Sequence, residues 1–382
     1  MDPHRPTALL GGLSPAEFMR RHWQRKPLLI RQAFAGFRPP LSIAETRRLA
    51  RRDDVESRLV WREQGRWQME QGPFGRLPPA REPGWTLLVQ GVNLHSDAAA
   101  DLMQAFRFVP DARLDDVMIS IATDGGGVGP HFDSYDVFLL QGVGRRRWRI
   151  GRQKNLALRP DAPLKILADF EPSAEYVLEP GDMLYLPPAY AHDGVAEGDC
   201  MTISIGFRSP SLAELARGML ETAADGLASP PPALRGHYRD PGQPAVDAPA
   251  ALPPALVERA VQAAAAVRLD ARLASRFLGC WLTEPKPQVF FDPPAGDTPD
   301  LAEAWPPAGR LALDRRTQML YRDKALYING EEPPVAASRF WKALADRRRL
   351  DCRDPLCAEL TLQDRGLLAE WLAAGWMHYS AD

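Results

Sequence analysis

Cysteine is scarce and scattered: Cys200, Cys280, Cys352 and Cys357 are the four thiols in 382 residues. That sparsity excludes a disulfide-rich scaffold, and the lack of close pairing excludes a zinc knuckle. Hydrophobic runs are short too. None approaches the roughly 20 apolar residues that a membrane helix needs. The opening MDPHRPTALLGGLSPAEF lacks the apolar stretch of a secretory signal. Neither charge is in surplus, because a formal net charge of -2 gives the chain no field to draw in nucleic acid. The clusters Arg145, Arg146, Arg147 and Arg347, Arg348, Arg349 read as solvated faces. These absences point to a cytoplasmic protein with no membrane span and no direct DNA partner.

What is plentiful is turn chemistry, with 37 prolines and 29 glycines set in a chain that is 45% apolar and 25% charged. Such a composition suits two or three globular domains with many short elements. The stretch that organises them runs from Gly125 to His192. A buried strand is expected over 117–122, and GGGVG at 125–129 turns the chain back. HFD follows at 131–133. In an extended segment alternate side chains share a face, so His131 and Asp133 emerge together while Phe132 points away. A third ligand, His192, comes after a PGD turn at 180–182, a short apolar strand at 183–186 and the stop Pro187-Pro188. Two histidines and one carboxylate on one face are the facial triad of non-haem Fe(II) oxygenases. Zinc or manganese suits the same ligand types. His95 is a competing imidazole that reads as a structural hydrogen-bonding residue.

The rest of the chain brackets this stretch. Ser14-Pro15-Ala16-Glu17 has the form of a capped helix start that carries Phe18 and Trp23 inward. Strands are expected at 28–30 and 85–89, with a hairpin over 57–60 and 66–70, and helices over 41–54 and 98–106. Between 117 and 207 strands come short and frequent, including 137–140 and 147–150 joined by a turn at Gly142-Val143-Gly144. That spacing favours a sandwich or small barrel able to enclose a ligand. Beyond 207 the reading changes to helices over 211–223 and 254–280, joined by a Pro- and Ala-rich linker at 228–253. A final unit has small strands at 317–321 and 325–328, a turn at Asn329-Gly330, and helices at about 336–346 and 359–374.

HFDSYDVFLLQGVGRRRWRIG at 131–151, EPGDMLYLPPAYAHDG at 179–194 and HWQRKPLLIRQAF at 22–34 resemble the Jumonji-C ribosomal oxygenases. The likeness is to the bacterial branch that hydroxylates an arginine of large-subunit ribosomal protein sixteen. The resemblance implies an α+β fold: a double-stranded β-helix, cupin-like barrel over residues 1–208, a helical dimerisation region over 209–282 and a winged-helix-like domain over 283–382. It implies a 2-oxoglutarate-dependent dioxygenase with Fe(II) on His131, Asp133 and His192, and with 2-oxoglutarate and dioxygen as cosubstrates. Its partners are the ribosomal protein and a second copy of the chain. Arg146, two positions after Gly144, takes the distal carboxylate of 2-oxoglutarate in this reading, as a bidentate charge-assisted pair. Ser120, Thr202 and Ser204 are further candidates to hold the cosubstrate.

For an arginyl substrate, Asp124 can pair with the guanidinium and Tyr135 can pack along the side chain, both being near the triad in sequence. The alternatives are a histidyl hydroxylase of another ribosomal protein and a non-catalytic, metal-binding cupin-like interaction protein. A zinc hydrolase is less attractive because no neighbouring general base stands out.

Overall fold

The computed structural model describes residues 2–294 and 299–381. The chain divides into two units. The first comprises residues up to Ser209 with Lys286–Pro293 and Asp314–Arg316; the second comprises Pro210–Pro285, Pro294–Leu313 and residues from Thr317 onward. Among the described residues no helix is long and apolar enough to cross a membrane.

The first unit opens with α1 (Pro15–Arg21), which starts where the sequence places it. Ser14 accepts from the Glu17 amide while the Glu17 carboxylate accepts from the Ser14 amide, a capping box worth about 1 kcal/mol. Phe18 on this helix is fully buried. β1 (Leu28–Ile30), α2 (Ile43–Leu49), the hairpin β2 (Ser57–Glu63) and β3 (Arg66–Gln71), β4 (Trp85–Val89) and α3 (Asp97–Gln104) follow. Five more strands complete the unit: β5 (Leu114–Ala122), β6 (Val137–Gly151), β7 (Ala174–Leu178), β8 (Met183–Leu186) and β9 (Ala191–Phe207). They form one nine-stranded antiparallel sheet ordered β1-β8-β6-β9-β5-β4-β2-β3, with β7 alongside β6.

Period-two alternation gives this sheet two different faces. Leu87 and Val89, Ile119 and Ile121, Phe138 and Leu140, and Ile203 and Ile205 join Phe18 and Phe106 in one large core. The alternate residues Val137, Leu139, Trp148 and Ile150 pack with Leu178, Leu184 and Leu186 on the other side. The sheet curls about this second side, because β2, β3, β4, β5, β6 and β9 all contribute walls to a single cavity.

One expectation fails instructively. Gly142-Val143-Gly144 does not reverse the chain. β6 runs through it for 15 residues, and the register to β9 slips on both sides of Val143. The segment is a β-bulge, which takes the same left-handed glycine as a turn, here Gly144 at φ 62°, but only bends the strand. Past the bulge Arg146 and Trp148 are buried while Arg145 and Arg147 face out.

The second unit contains α4 (Leu212–Gly226), α5 (Pro254–Ala265), α6 (Ala271–Thr283), β10 (Arg310–Leu313), β11 (Met319–Arg322), β12 (Ala325–Ile328), α7 (Arg339–Arg347), β13 (Arg349–Asp351), α8 (Leu362–Ala373) and β14 (Met377–Ser380). The helix expected over 254–280 is two helices, because the Asp270 side chain caps a new start by accepting from the amides of Arg272 and Leu273. Gly218 of α4 packs against the ring of Phe277 on α6. α7 and α8 bury Phe340, Trp341, Leu368 and Trp371 in a second core beneath the three-stranded sheet β13-β10-β14. β11 and β12 pair through a two-residue turn at Asp323-Lys324, and a further turn follows at Asn329-Gly330.

A Cβ on Gly144 would lie 2.1 Å from the Asp199 carbonyl, at a φ that L-residues avoid. We predict that Gly144→Ala destabilises the first unit by about 2–4 kcal/mol, read as a lowered midpoint of thermal unfolding.

Candidate metal centre and cosubstrate pocket

The two histidines are joined through their backbones. The His131 amide donates to the His192 carbonyl at 2.9 Å, and the His192 amide returns a bond to His131 at 2.8 Å. This places the imidazole centroids 4.2 Å apart. The glycine loop permits the approach, since a Cβ on Gly127 would sit 2.6 Å from the Gly194 carbonyl on β9. Asp133 is fixed from the other side, its carbonyl accepting from the Ala189 amide at 2.7 Å. Its Oδ2 lies 3.7 Å from His192 Nε2, and one ligand atom from each of the three residues falls within 4.8 Å of the others.

Each ring is oriented by a carbonyl. His131 Nδ1 lies 2.9 Å from the Gly129 oxygen and His192 Nδ1 lies 2.9 Å from the Tyr190 oxygen. With Nδ1–H donating, both Nε2 lone pairs are free for a metal. Burial, followed by the neighbouring His131, pulls the His192 pKa down to about 4, which keeps that ring in its ligating form at neutral pH. Two nitrogens and one carboxylate, with the remaining positions open, fit a single divalent ion of the iron type. His95 lies elsewhere, with Nδ1 4.0 Å from Asp54 Oδ2.

The triad opens into a cavity of about 500 Å³ that Ser120, Arg146, Thr202 and Ser204 also line. Arg146 is 4% exposed. Its Nη1 donates to Ser120 Oγ at 3.1 Å, yet Nε and Nη2 are buried with no acceptor. A buried guanidinium left unpaired is costly, and buried donors are satisfied in nearly all folded proteins. The orphaned N–H groups therefore fit an acceptor that belongs to a bound acid. Thr202 Oγ1 donates to Gln141 Oε1 at 3.0 Å, and Gln141 Nε2 is anchored on the Val143 carbonyl at 2.9 Å, so the bulge also sets that hydroxyl.

Tyr135 lines the same cavity, and burial together with the Asp133 carboxylate pushes its pKa up. Asp124 is not brought there. It sits exposed in the glycine turn, its carboxylate accepting from the Gly198 amide at 2.7 Å and its carbonyl from Gly84 at 2.9 Å. Besides the ligand Asp133, the acids on the cavity wall are Asp115 and Asp116. Counting back by twos from Ser120 along β5 would have found Asp116. Asp115 already meets Lys286 at 3.4 Å and Arg208 at 3.5 Å. Among the described residues Asp116 accepts only the Gly91 amide, at 2.9 Å, and burial raises its pKa.

A curled antiparallel sheet carrying this triad beside a buried arginine has the form of the JmjC class of metal-dependent oxygenases. Residues 101–215 match the JmjC domain model, and residues 266–378 match the ROXA-like winged helix. The chain is 44% identical over 206 residues to the Escherichia coli ribosomal protein uL16 3-hydroxylase, covering 54% of this chain and 55% of that one. It is 39% identical over 219 residues to a probable ribosomal oxygenase of Haemophilus influenzae, covering 54% and 52%. The aligned region thus spans about half the length of these curated relatives. Superposition on the E. coli ribosomal oxygenase YcfD solved with cobalt and 2-oxoglutarate gives a TM-score of 0.80 at 31% identity, over 97% of this chain and 99% of that one. An X-ray structure of the same E. coli protein gives 0.81 at 31% identity, over 96% and 98%. The chain belongs to the JmjC ribosomal oxygenases.

Replacing His131 with alanine should abolish Co(II) binding measured by calorimetry. Arg146→Ala should retain the metal but weaken 2-oxoglutarate binding by about 10- to 100-fold, the usual effect of losing a charged hydrogen bond.

Proposed function

We propose that this chain is an Fe(II)- and 2-oxoglutarate-dependent dioxygenase that hydroxylates an arginine side chain, at carbon 3, in ribosomal protein uL16, the large-subunit protein sixteen. The observation that carries this reading is the sharing of one cavity by the triad and the unpaired N–H groups of Arg146. Iron(II) with 2-oxoglutarate and dioxygen supplies oxidative decarboxylation to succinate and carbon dioxide, together with oxygen transfer into an unactivated C–H bond.

The chain's own groups bind and aim. His131, Asp133 and His192 hold the ion, each imidazole pinned through Nδ1. Arg146, with Ser120, holds the distal carboxylate of 2-oxoglutarate, and Thr202 and Ser204 lie on the same wall. Asp116 takes the substrate guanidinium, since its neighbour Asp115 is already paired with two cations. Tyr135 packs along the aliphatic stem. Holding a full positive charge against a buried carboxylate favours arginine over histidine as the target. Asp116 thus takes the part that the sequence reading gave to Asp124.

The assembly we propose is a homodimer through the helices that follow the barrel, in the three-part organisation 1–208, 209–282 and 283–382. Leu212, Leu220 and Leu227 are 84%, 57% and 40% exposed, at the spacing of one helical stripe. α5 buries none of its side chains, with Val257 and Val261 48% and 65% exposed. A ribosomal-protein substrate and four free thiols support a cytoplasmic setting.

Anaerobic loading with Fe(II) and 2-oxoglutarate, followed by oxygen and uL16, should add about 16 Da to one arginine with succinate formed in step. Loss of both products on chelation is expected. Succinate without a modified arginine would remove the substrate assignment and leave the oxygenase. Val261→Asp should shift the light-scattering mass from two chains to one; a parent already monomeric at all concentrations would remove the dimer.

A further inference from the structure

The cavity has a polar wall that neither the metal nor the cosubstrate uses. Thr86 and Leu88 on β4, and Gln90 just after it, line the cavity, while Leu87 and Val89 face the core. Leu88 stands directly opposite Arg58 on β2 and Ser120 on β5. A row therefore runs across three strands from Ser120, the partner of Arg146, to Arg58, with Thr86 and Gln90 two positions to either side of Leu88. Arg58, Thr86 and Gln90 all line the cavity, and all three carry a buried atom with no hydrogen-bond partner: Arg58 Nε, Thr86 Oγ1 and Gln90 Oε1. Thr86 is 1% exposed. Arg58 makes no ion pair among the described residues.

Unmet polar groups gathered on one wall call for a ligand rather than for the fold, which the alternate residues of the same strands already secure. Their mixture identifies the chemistry. Arg146 offers donors alone, which suits an anion. The Arg58 wall instead offers a donor at Arg58, an acceptor at Gln90 and a hydroxyl at Thr86 that can be either. A carboxylate would meet Arg58 but leave the buried Gln90 oxygen without a donor. Hydrocarbon would meet neither. An amide supplies a carbonyl for the guanidinium and an N–H for Gln90.

We propose that Arg58, Thr86 and Gln90 form a substrate subsite that takes an uncharged amide group of the ribosomal protein beside the reacting arginine. The group is either a main-chain peptide unit or the carboxamide of an asparagine or glutamine. This rests on the substrate reading above and deepens it. The three residues grip the segment that carries the arginine, so they govern affinity for the protein and not the handling of 2-oxoglutarate.

The test uses the full chain with Fe(II), 2-oxoglutarate and a uL16 peptide containing the modified arginine. Arg58→Met keeps the aliphatic stem, and Thr86→Val keeps the shape and serves if the arginine variant folds poorly; Gln90→Leu completes the set. Each should raise KM for the peptide by about tenfold, the effect of losing one hydrogen bond to a charged or buried group, with KM for 2-oxoglutarate and kcat changed less than about twofold. Peptides with single flanking amides replaced by esters, and others with Asn or Gln replaced by Leu, separate the two sources. The Gln90→Leu penalty vanishes for whichever peptide lacks the N–H of the bound amide. Peptide KM equal to the parent's in all three variants, or a matching rise in KM for 2-oxoglutarate, overturns the subsite. A parent chain that leaves the arginine unmodified overturns the substrate reading and this inference with it, whereas an active parent with unaffected variants overturns this inference alone.

Discussion

The placement of the metal centre depends on two hydrogen bonds between the backbones of His131 and His192. They fasten the glycine loop to the start of β9, and they set the separation of the two imidazoles before either side chain has chosen a rotamer. From there the long pairing of β6 with β9 carries position outward. Ile150 lies opposite His192, Trp148 opposite Gly194 and Arg146 opposite Ala196, so strand periodicity alone decides how far the buried guanidinium stands from the ligands. Trp148 fills the space between, its ring 5.9 Å from His192 and 5.7 Å from the Arg146 guanidinium carbon. A site built this way is stiff because its parts are backbone-fixed.

Much of this was legible where one local rule dominates. The capping box at Ser14 and Glu17, the HxD alternation, the Pro-Gly-Asp turn and the stop at Pro187 each follow from residues a few positions apart. Reading failed where the same local signal serves two geometries. A glycine with positive φ ends a strand in one context and bulges it in another, and only the partner strand β9 tells which applies at Gly144. The break between α5 and α6 was written in Asp270, a capping residue inside a helical run, but the alanine-rich sequence ahead of it hid the boundary. β10, β13 and β14 have three or four residues each, too few for any period to register.

The acidic wall shows the limit most clearly. Asp124 is near the triad in sequence and Asp116 is farther, yet the sheet puts Asp116 on the cavity wall and leaves Asp124 exposed in the glycine turn. Proximity along the chain says little when a turn intervenes, whereas sharing a face of a strand with Ser120 says a great deal. Gln141 is the same kind of case. It is fully buried, and its role in holding Thr202 depends on a bulge that brings the Val143 carbonyl within reach of its amide.

The carbonyls of Gly129 and Tyr190 have an effect beyond aiming the two rings. Each occupies the second nitrogen of its histidine, so neither imidazole can bridge to another ion. What is left to each ring is one nitrogen and so one metal bond, which makes both imidazoles terminal ligands of the ion that the triad can hold.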